Sequence, residues 1–299
     1  MQINPNITPT ILSDMNQSQS ALNTALQQVA TGLSVNVPSD NPTASAAMVQ
    51  NTIDTGNVDQ YQQNVNTVLS TVQSASSVLS NVVTALTRAV SLGTEGANGT
   101  NSAANMQAIA AQVQGVFSSV VSLANSSVGG TFLFGGNGTT APYTADSSAS
   151  TGYTYTGTND VSSVAVGNSL SVQVNLPGSQ VFSSSSNNVL GSLNALVTAL
   201  QGGNSSAIST ATAAVNSSIG FVSQQQAFYG NAENQLNSQE TSLQQDTVTL
   251  ASQATNLVGI NLATAATNLT QAETENSAAM AAVAKVMPNT LLNYLSPPA

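Results

Sequence analysis

Apolar positions in this chain fall at helical intervals over most of its length and at strand intervals only in the middle. From Ile11 onward, Met15, Leu22, Leu26, Val29 and Leu33 follow spacings of three, four or seven, which predicts an amphipathic helix stopped by Pro38. A loop from Ser34 to Asn41 leads to Pro42, a favoured first helical residue because it has no amide to leave unsatisfied, with Asn41 as N-cap. Tyr61, Val65, Val68, Val72, Ala75, Leu79, Val82, Leu86 and Ala89 then alternate steps of four and three without a break, the pattern of a coiled-coil seam. Gly93, Gly96 and Gly99 are expected to end this helix, and another follows along Met106, Ile109, Val113, Val116, Val120 and Leu123.

Between Gly129 and about Phe182 the pattern changes to short alternating stretches: Tyr153 and Tyr155, Val164 and Val166, then Leu170, Val172, Val174 and Leu176. Asn137-Gly138, Pro142 and Pro177-Gly178 supply turns between them. Helical spacing returns at Val189, Leu193, Leu196 and Leu200. After Gly202-Gly203, Val222, Tyr229, Leu236, Leu243, Leu250 and Leu257 recur every seventh residue, with polar companions Gln225, Gln239, Asp246 and Gln253. A last amphipathic segment carries Leu262, Ala266, Leu269, Ala272, Met280, Val283 and Leu291. The fold class this predicts is mainly α: a long coiled-coil helical bundle formed from the N- and C-terminal segments, with a small β-rich domain inserted in the middle. The expected divisions are 1–42 with 258–299, 43–128 with 187–257, and 129–186. Periodicity identifies a seam but not its partner, so a self-satisfied monomeric bundle and a subunit sharing its seams with copies both remain open.

Composition narrows the function. Only 5% of the residues are charged, so Ser, Thr, Asn and Gln must supply solubility, and little self-repulsion keeps copies apart. Hydrophobic residues make up 41% of the chain but aromatics only 4% of it, which leaves mostly small side chains suited to close helix packing. Arg88 and Lys285 oppose twelve acidic residues for a net charge of -10, which cannot neutralise nucleic-acid phosphates and disfavours an anionic membrane surface. Met1 to Asp14 has neither a basic region nor a continuous apolar stretch, so no cleavable secretory signal is expected there. The longest purely apolar run, about Ala278 to Ala284, is far short of the roughly 20 residues that span a bilayer.

Without histidine or cysteine there is no imidazole base, thiolate, disulfide or usual transition-metal ligand set. Glu273 and Glu275 point to different helix faces, and Glu233 and Glu240 lie two turns apart, so neither pair resembles an acid/base site. Asp40, beside Asn41, is expected to favour the positive end of the following helix. Gly129-Gly130 and Gly135-Gly136 lack the lysine of a phosphate loop and read as turns, with Phe132 and Phe134 buried beneath the β insert. No catalytic, cofactor or metal site is expected.

Residues 26–45, LQQVATGLSVNVPSDNPTAS, resemble the N-terminal signature of the bacterial flagellin family, with Thr31, Gly32, Leu33, Asn36, Ser39 and Asp40 matching. Gln28, Ser34 and Asn41 stand where the family commonly has arginine, arginine and aspartate. The segment GINLATAATNLTQAETENSAAMAAVAKVMPNTLLNYL is similar to the family's C-terminal helix, with Asn261 in place of an aspartate. The ending Leu291-Leu292-Asn293-Tyr294-Leu295 and the middle stretches GGTFLFGGNGTTAPYT, YTGTNDV and LPGSQVF are similar to the branch of that family that joins hook to filament.

This resemblance implies a structural, non-enzymatic subunit of the flagellum outside the cell, exported unfolded by the flagellar type III route. Its terminal helices would form an axial assembly domain that is disordered before assembly. The implied partners are copies of itself in a ring or short helical array, the neighbouring hook-associated protein, flagellin on the filament side and an export chaperone. The residues expected to make subunit contacts are Leu22, Leu26, Val29, Leu33, Leu262, Leu269, Val283, Leu291, Leu292 and Leu295. Flagellin itself is the nearest alternative, and a secreted adhesin or translocator a more distant one.

Overall fold

The computed structural model describes the backbone of residues 7–295 and the side chains of residues 9–285. Its elements are α1 (Ile7–Thr31), α2 (Pro42–Gly96), α3 (Ala103–Ala124), β1 (Ser127–Val128), β2 (Thr131–Phe132), β3 (Tyr143–Ala145), β4 (Tyr153–Tyr155), β5 (Ser163–Ala165), β6 (Ser171–Gln173), α4 (Gly178–Val181), α5 (Val189–Gly202), α6 (Ser205–Val258) and α7 (Leu262–Leu295). The chain forms two compact units: unit 1 is Met1–Asn57 with Gln245–Ala299, and unit 2 is Val58–Gln244.

Unit 2 holds the main core. Along α2, every expected seam residue from Val65 to Ala89 is buried, and Tyr61 packs at its margin. On α6, Ile208, Ala211, Val215, Ser218, Val222, Tyr229, Ala232, Leu236 and Leu243 are buried at the same four-three rhythm. Ser218, inside this seam, is satisfied by the Asn187 side chain at 2.8 Å and lies 2.9 Å from the Ser192 hydroxyl. α2 runs through Gly93 and ends at Gly96, inside the glycine cluster where the sequence places the helix end. Both glycines are buried because neighbours fill their faces: a β-carbon would overlap Thr212 at Gly93 and Leu200 at Gly96.

Ser102 caps α3 by accepting the Asn105 amide at 3.2 Å, and Asn188 caps α5 by accepting that of Gly191 at 2.7 Å. Gly203 closes α5 in the left-handed conformation, φ 68°. By length and composition alone, the 22 residues of α3 could cross a membrane. Here Val113, Val116, Phe117 and Val120 are buried in the core instead.

The β insert is three separate antiparallel hairpins, β1–β2, β3–β4 and β5–β6, with Tyr143 paired to Tyr155 and Ser163 to Gln173. Its strands are too short to stand alone, and aromatic packing against the helices anchors them. Phe134 meets Phe182 edge-on at 5.1 Å, Tyr143 meets Phe182 at 6.0 Å, and Phe117 of α3 lies 5.7 Å from Tyr153. Asn125 imitates a strand neighbour, exchanging two 2.8 Å hydrogen bonds with the backbone of Tyr143. The Tyr229 hydroxyl accepts the Leu176 amide at 3.0 Å, tying α6 to the insert.

The exposed faces of the long helices are covered with hydroxyls that fold back on their own backbone. Thr67, Thr71, Ser74, Thr84 and Thr87, for example, each donate to the carbonyl four residues earlier at 2.8 to 3.1 Å.

Burial pushes the phenols of Tyr143 and Tyr229 well above the ordinary tyrosine value of 10.0; hydrogen bonds from Ser183 and Leu176 respectively offset this only in part. Because the folded state holds these protons more tightly, their contribution is intact below pH 10 and is lost as pH rises beyond it. Unit 2 should therefore denature in alkali. Tyr229→Phe should cost about 1–3 kcal/mol in urea unfolding at neutral pH, by orphaning the Leu176 amide, and should weaken the alkaline transition.

Candidate subunit interface

Unit 1 is built differently. Its buried hydrophobic residues, among those described, are Ala25, Ala44, Val258, Ala265 and Ala272, so nearly all are alanines. Large apolar side chains lie exposed instead: Leu12, Leu26, Leu33, Val37, Val49 and Ile53 on the N-terminal side, and Val248, Leu262 and Met280 on the C-terminal side. In the larger unit 2 the corresponding group is Val128, Val161 and Leu170.

The unit is held together at the ends of its helices. Past α1, Gly32 adopts φ +70°, a left-handed turn that favours glycine, and turns the chain so that Leu33 pairs antiparallel with Gly259. Ser34 donates its amide to the Val258 carbonyl at 2.7 Å, and the Ile260 amide reaches Gly32 at 3.2 Å. The signature residues shape this corner. The Thr31 hydroxyl lies 2.8 Å from the Asn36 side chain and accepts the Leu33 amide at 3.2 Å. Asp40 accepts the amides of Asn36 and Val37 at 2.9 and 3.0 Å and so closes the loop that leads into α2. Asn41 is the N-cap of α2, accepting the Ala44 amide at 3.0 Å.

Two of the four substituted family positions, Gln28 and Asn261, are accommodated by uncharged hydrogen bonds. Gln28 donates to the Ser34 carbonyl at 3.0 Å, and Asn261 caps α7 by accepting the Ala263 amide at 3.0 Å and the Thr264 amide at 3.3 Å. Below the corner, the Asn51 side chain is buried and donates to the Leu250 carbonyl at 3.0 Å.

α1 and α7 pack side by side. The residues facing inward on α1 are Ile11, Met15, Ser18, Leu22, Ala25 and Val29; on α7 they are Ala265, Leu269, Ala272, Asn276, Ala279 and Val283. The expected contact residues therefore divide. Leu22, Val29, Leu269 and Val283 are half-buried in the seam between the two helices. Leu26 at 45%, Leu33 at 37% and Leu262 at 63% exposure face outward. The side chains of Leu291, Leu292 and Leu295 lie outside the described residues. Ala25, Ala265 and the polar Ser18 and Asn276 escaped the sequence reading because a search for large apolar residues passes over them; strict four-three stepping finds all four.

The bacterial flagellin N-terminal helical region matches residues 3–139, and the bacterial flagellin C-terminal helical region matches residues 212–295. This chain belongs to the bacterial flagellin family. Flagellin of Salmonella muenchen is 31% identical over 97 residues, which is 32% of this chain and 19% of that flagellin, so the match spans about a fifth of the relative's length. The fold is that of the flagellar hook-associated proteins. A chain of that description from Vibrio parahaemolyticus superposes with a TM-score of 0.67 at 21% identity, covering 74% of this flagellin-family chain and 100% of the other. The flagellar junction protein FlgL of Legionella pneumophila superposes with a TM-score of 0.60 at 16% identity, covering 71% and 100%.

Leu26 and Leu262 are exposed at 45% and 63%, so their burial within the subunit contributes little to its stability. The double substitution Leu26→Glu with Leu262→Glu should leave the unfolding midpoint of the isolated protein within experimental error, while abolishing self-association measured by sedimentation.

Proposed function

We propose that this flagellin-family chain is the structural subunit that joins hook to filament, and that it has no enzymatic role. The observation that carries this reading is the contrast between the units: large apolar residues are buried in unit 2 and exposed in unit 1. A soluble monomer rarely leaves so many large apolar side chains uncovered on thin, alanine-packed helices, and neighbours in an assembly supply the missing burial. The junction role, rather than the bulk filament, is favoured by the likeness to hook-associated and junction folds over their whole length, and by the compact hairpin insert.

On this reading the protein leaves the cell unfolded through the flagellar type III route, escorted beforehand by an export chaperone, and is placed at the growing tip. There α1 and α7 become fully ordered against copies of the chain in a ring or short helical array. The hook-associated neighbour lies on one side and flagellin on the other. Ordering costs about 1–2 kcal/mol of backbone entropy per residue, which the burial of Leu26, Leu33, Leu262 and their neighbours offsets only once adjoining subunits are present.

A strain lacking the chain should carry hooks without filaments and release flagellin into the medium; filaments on its cells would reject the junction role. An epitope inserted in the exposed turn between β3 and β4 should mark one band between hook and filament, whereas label along the whole filament would identify a bulk flagellin.

A further inference from the structure

Two polar residues interrupt the seam between α1 and α7. The Ser18 hydroxyl and the Asn276 side-chain oxygen are buried and have no hydrogen-bond partner among the described residues. Other polar side chains on the same helices are satisfied: Thr24 reaches the Ser20 carbonyl at 3.0 Å, and Gln271 reaches Glu275 at 2.9 Å. Orphaned polar atoms in a seam otherwise lined by Met, Leu, Val, Ile and Ala weaken it at that level.

The spacing places the two residues together. The antiparallel bridge between Leu33 and Gly259 starts the helices in opposite directions, and one groove is lined by Gln17 to Gln28 of α1 and Asn268 to Glu275 of α7. Read in those opposite directions, both helices take the same four-three steps. Met15 then meets Ala279, Leu22 meets Ala272, Ala25 meets Leu269 and Val29 meets Ala265, large against small at these four levels, with Ile11 against Val283 at the far end. Ser18 meets Asn276. A slip of seven residues would instead set Ser18 against Leu269 or Val283, and Asn276 against Ile11 or Ala25, leaving each polar group opposite an apolar one.

We propose that Ser18 and Asn276 form a polar layer that fixes the register of the α1–α7 pair. Polar residues at single seam positions set register at a cost in stability, and here the neighbouring levels are packed by alanine and have little to spare. The register stands on the seam alone.

The test compares the full-length protein with Ser18→Leu/Asn276→Leu. Backbone hydrogen exchange in α1 and α7 should slow by roughly tenfold or more in the double variant, with exchange in α3 and α5 unchanged. Equal or faster exchange in α1 and α7 would overturn the weak layer, and Ser18→Ala/Asn276→Ala provides a smaller replacement should leucine overpack. Register is read by disulfide formation, since the chain has no cysteine of its own. Leu22→Cys should cross-link with Ala272→Cys and not with Ala265→Cys or Ala279→Cys, and the slipped pairs should gain yield when the polar layer is replaced. Equal yield from slipped and matched pairs in the parent would overturn the register.

Discussion

The fold depends on where apolar side chains can be buried. In unit 2 an unbroken four-three run along α2 meets a matching run along α6, and α3, α5 and the hairpins close over what remains, so that Leu79, Leu86, Leu193, Leu196, Tyr229 and Leu236 are fully enclosed. Burial of this extent is the dominant favourable term in folding, and it lets short hairpins with few ladder hydrogen bonds persist. Unit 1 has the same helical periodicity but places alanine at many of the positions that face inward, so its large side chains remain outside. One rhythm thus yields a finished core in one unit and an unfinished surface in the other.

The sequence exposed this plan unevenly. The α2 seam is readable residue by residue because Val and Leu occupy every step, and the Asn41-Pro42 helix start is readable because capping and proline placement are local chemistry. The end of α2 at Gly96 is readable too, but not the reason glycine stands at 93 and 96: those positions are selected by contact with Leu196, Thr212 and Leu200, distant in sequence. On α1 and α7 large residues draw attention to a face that includes Leu26, Leu262 and Met280, while the inner seam is defined by Ala25, Ala265 and Ala272, which a hydrophobicity pattern hardly registers. The family signature was visible as a motif, but its physical content was not. That Asp40 binds two loop amides and that Gly32 turns the chain into a bridge with Gly259 depends on partners the sequence does not place.

The substituted family positions show how a corner tolerates loss of charge. A glutamine reaching a carbonyl and an asparagine capping a helix need only hydrogen-bond geometry. Both bonds are local, so the corner between α1, α2 and α7 does not require the charges that relatives use there.

The back-bonded hydroxyls along the long helices have a consequence for the surroundings. Screening by dissolved salt acts on charges, and an exterior finished mainly with Ser and Thr already bonded to their own backbone offers few charges to screen. Its hydration and its contacts should stay nearly constant from dilute water to brine.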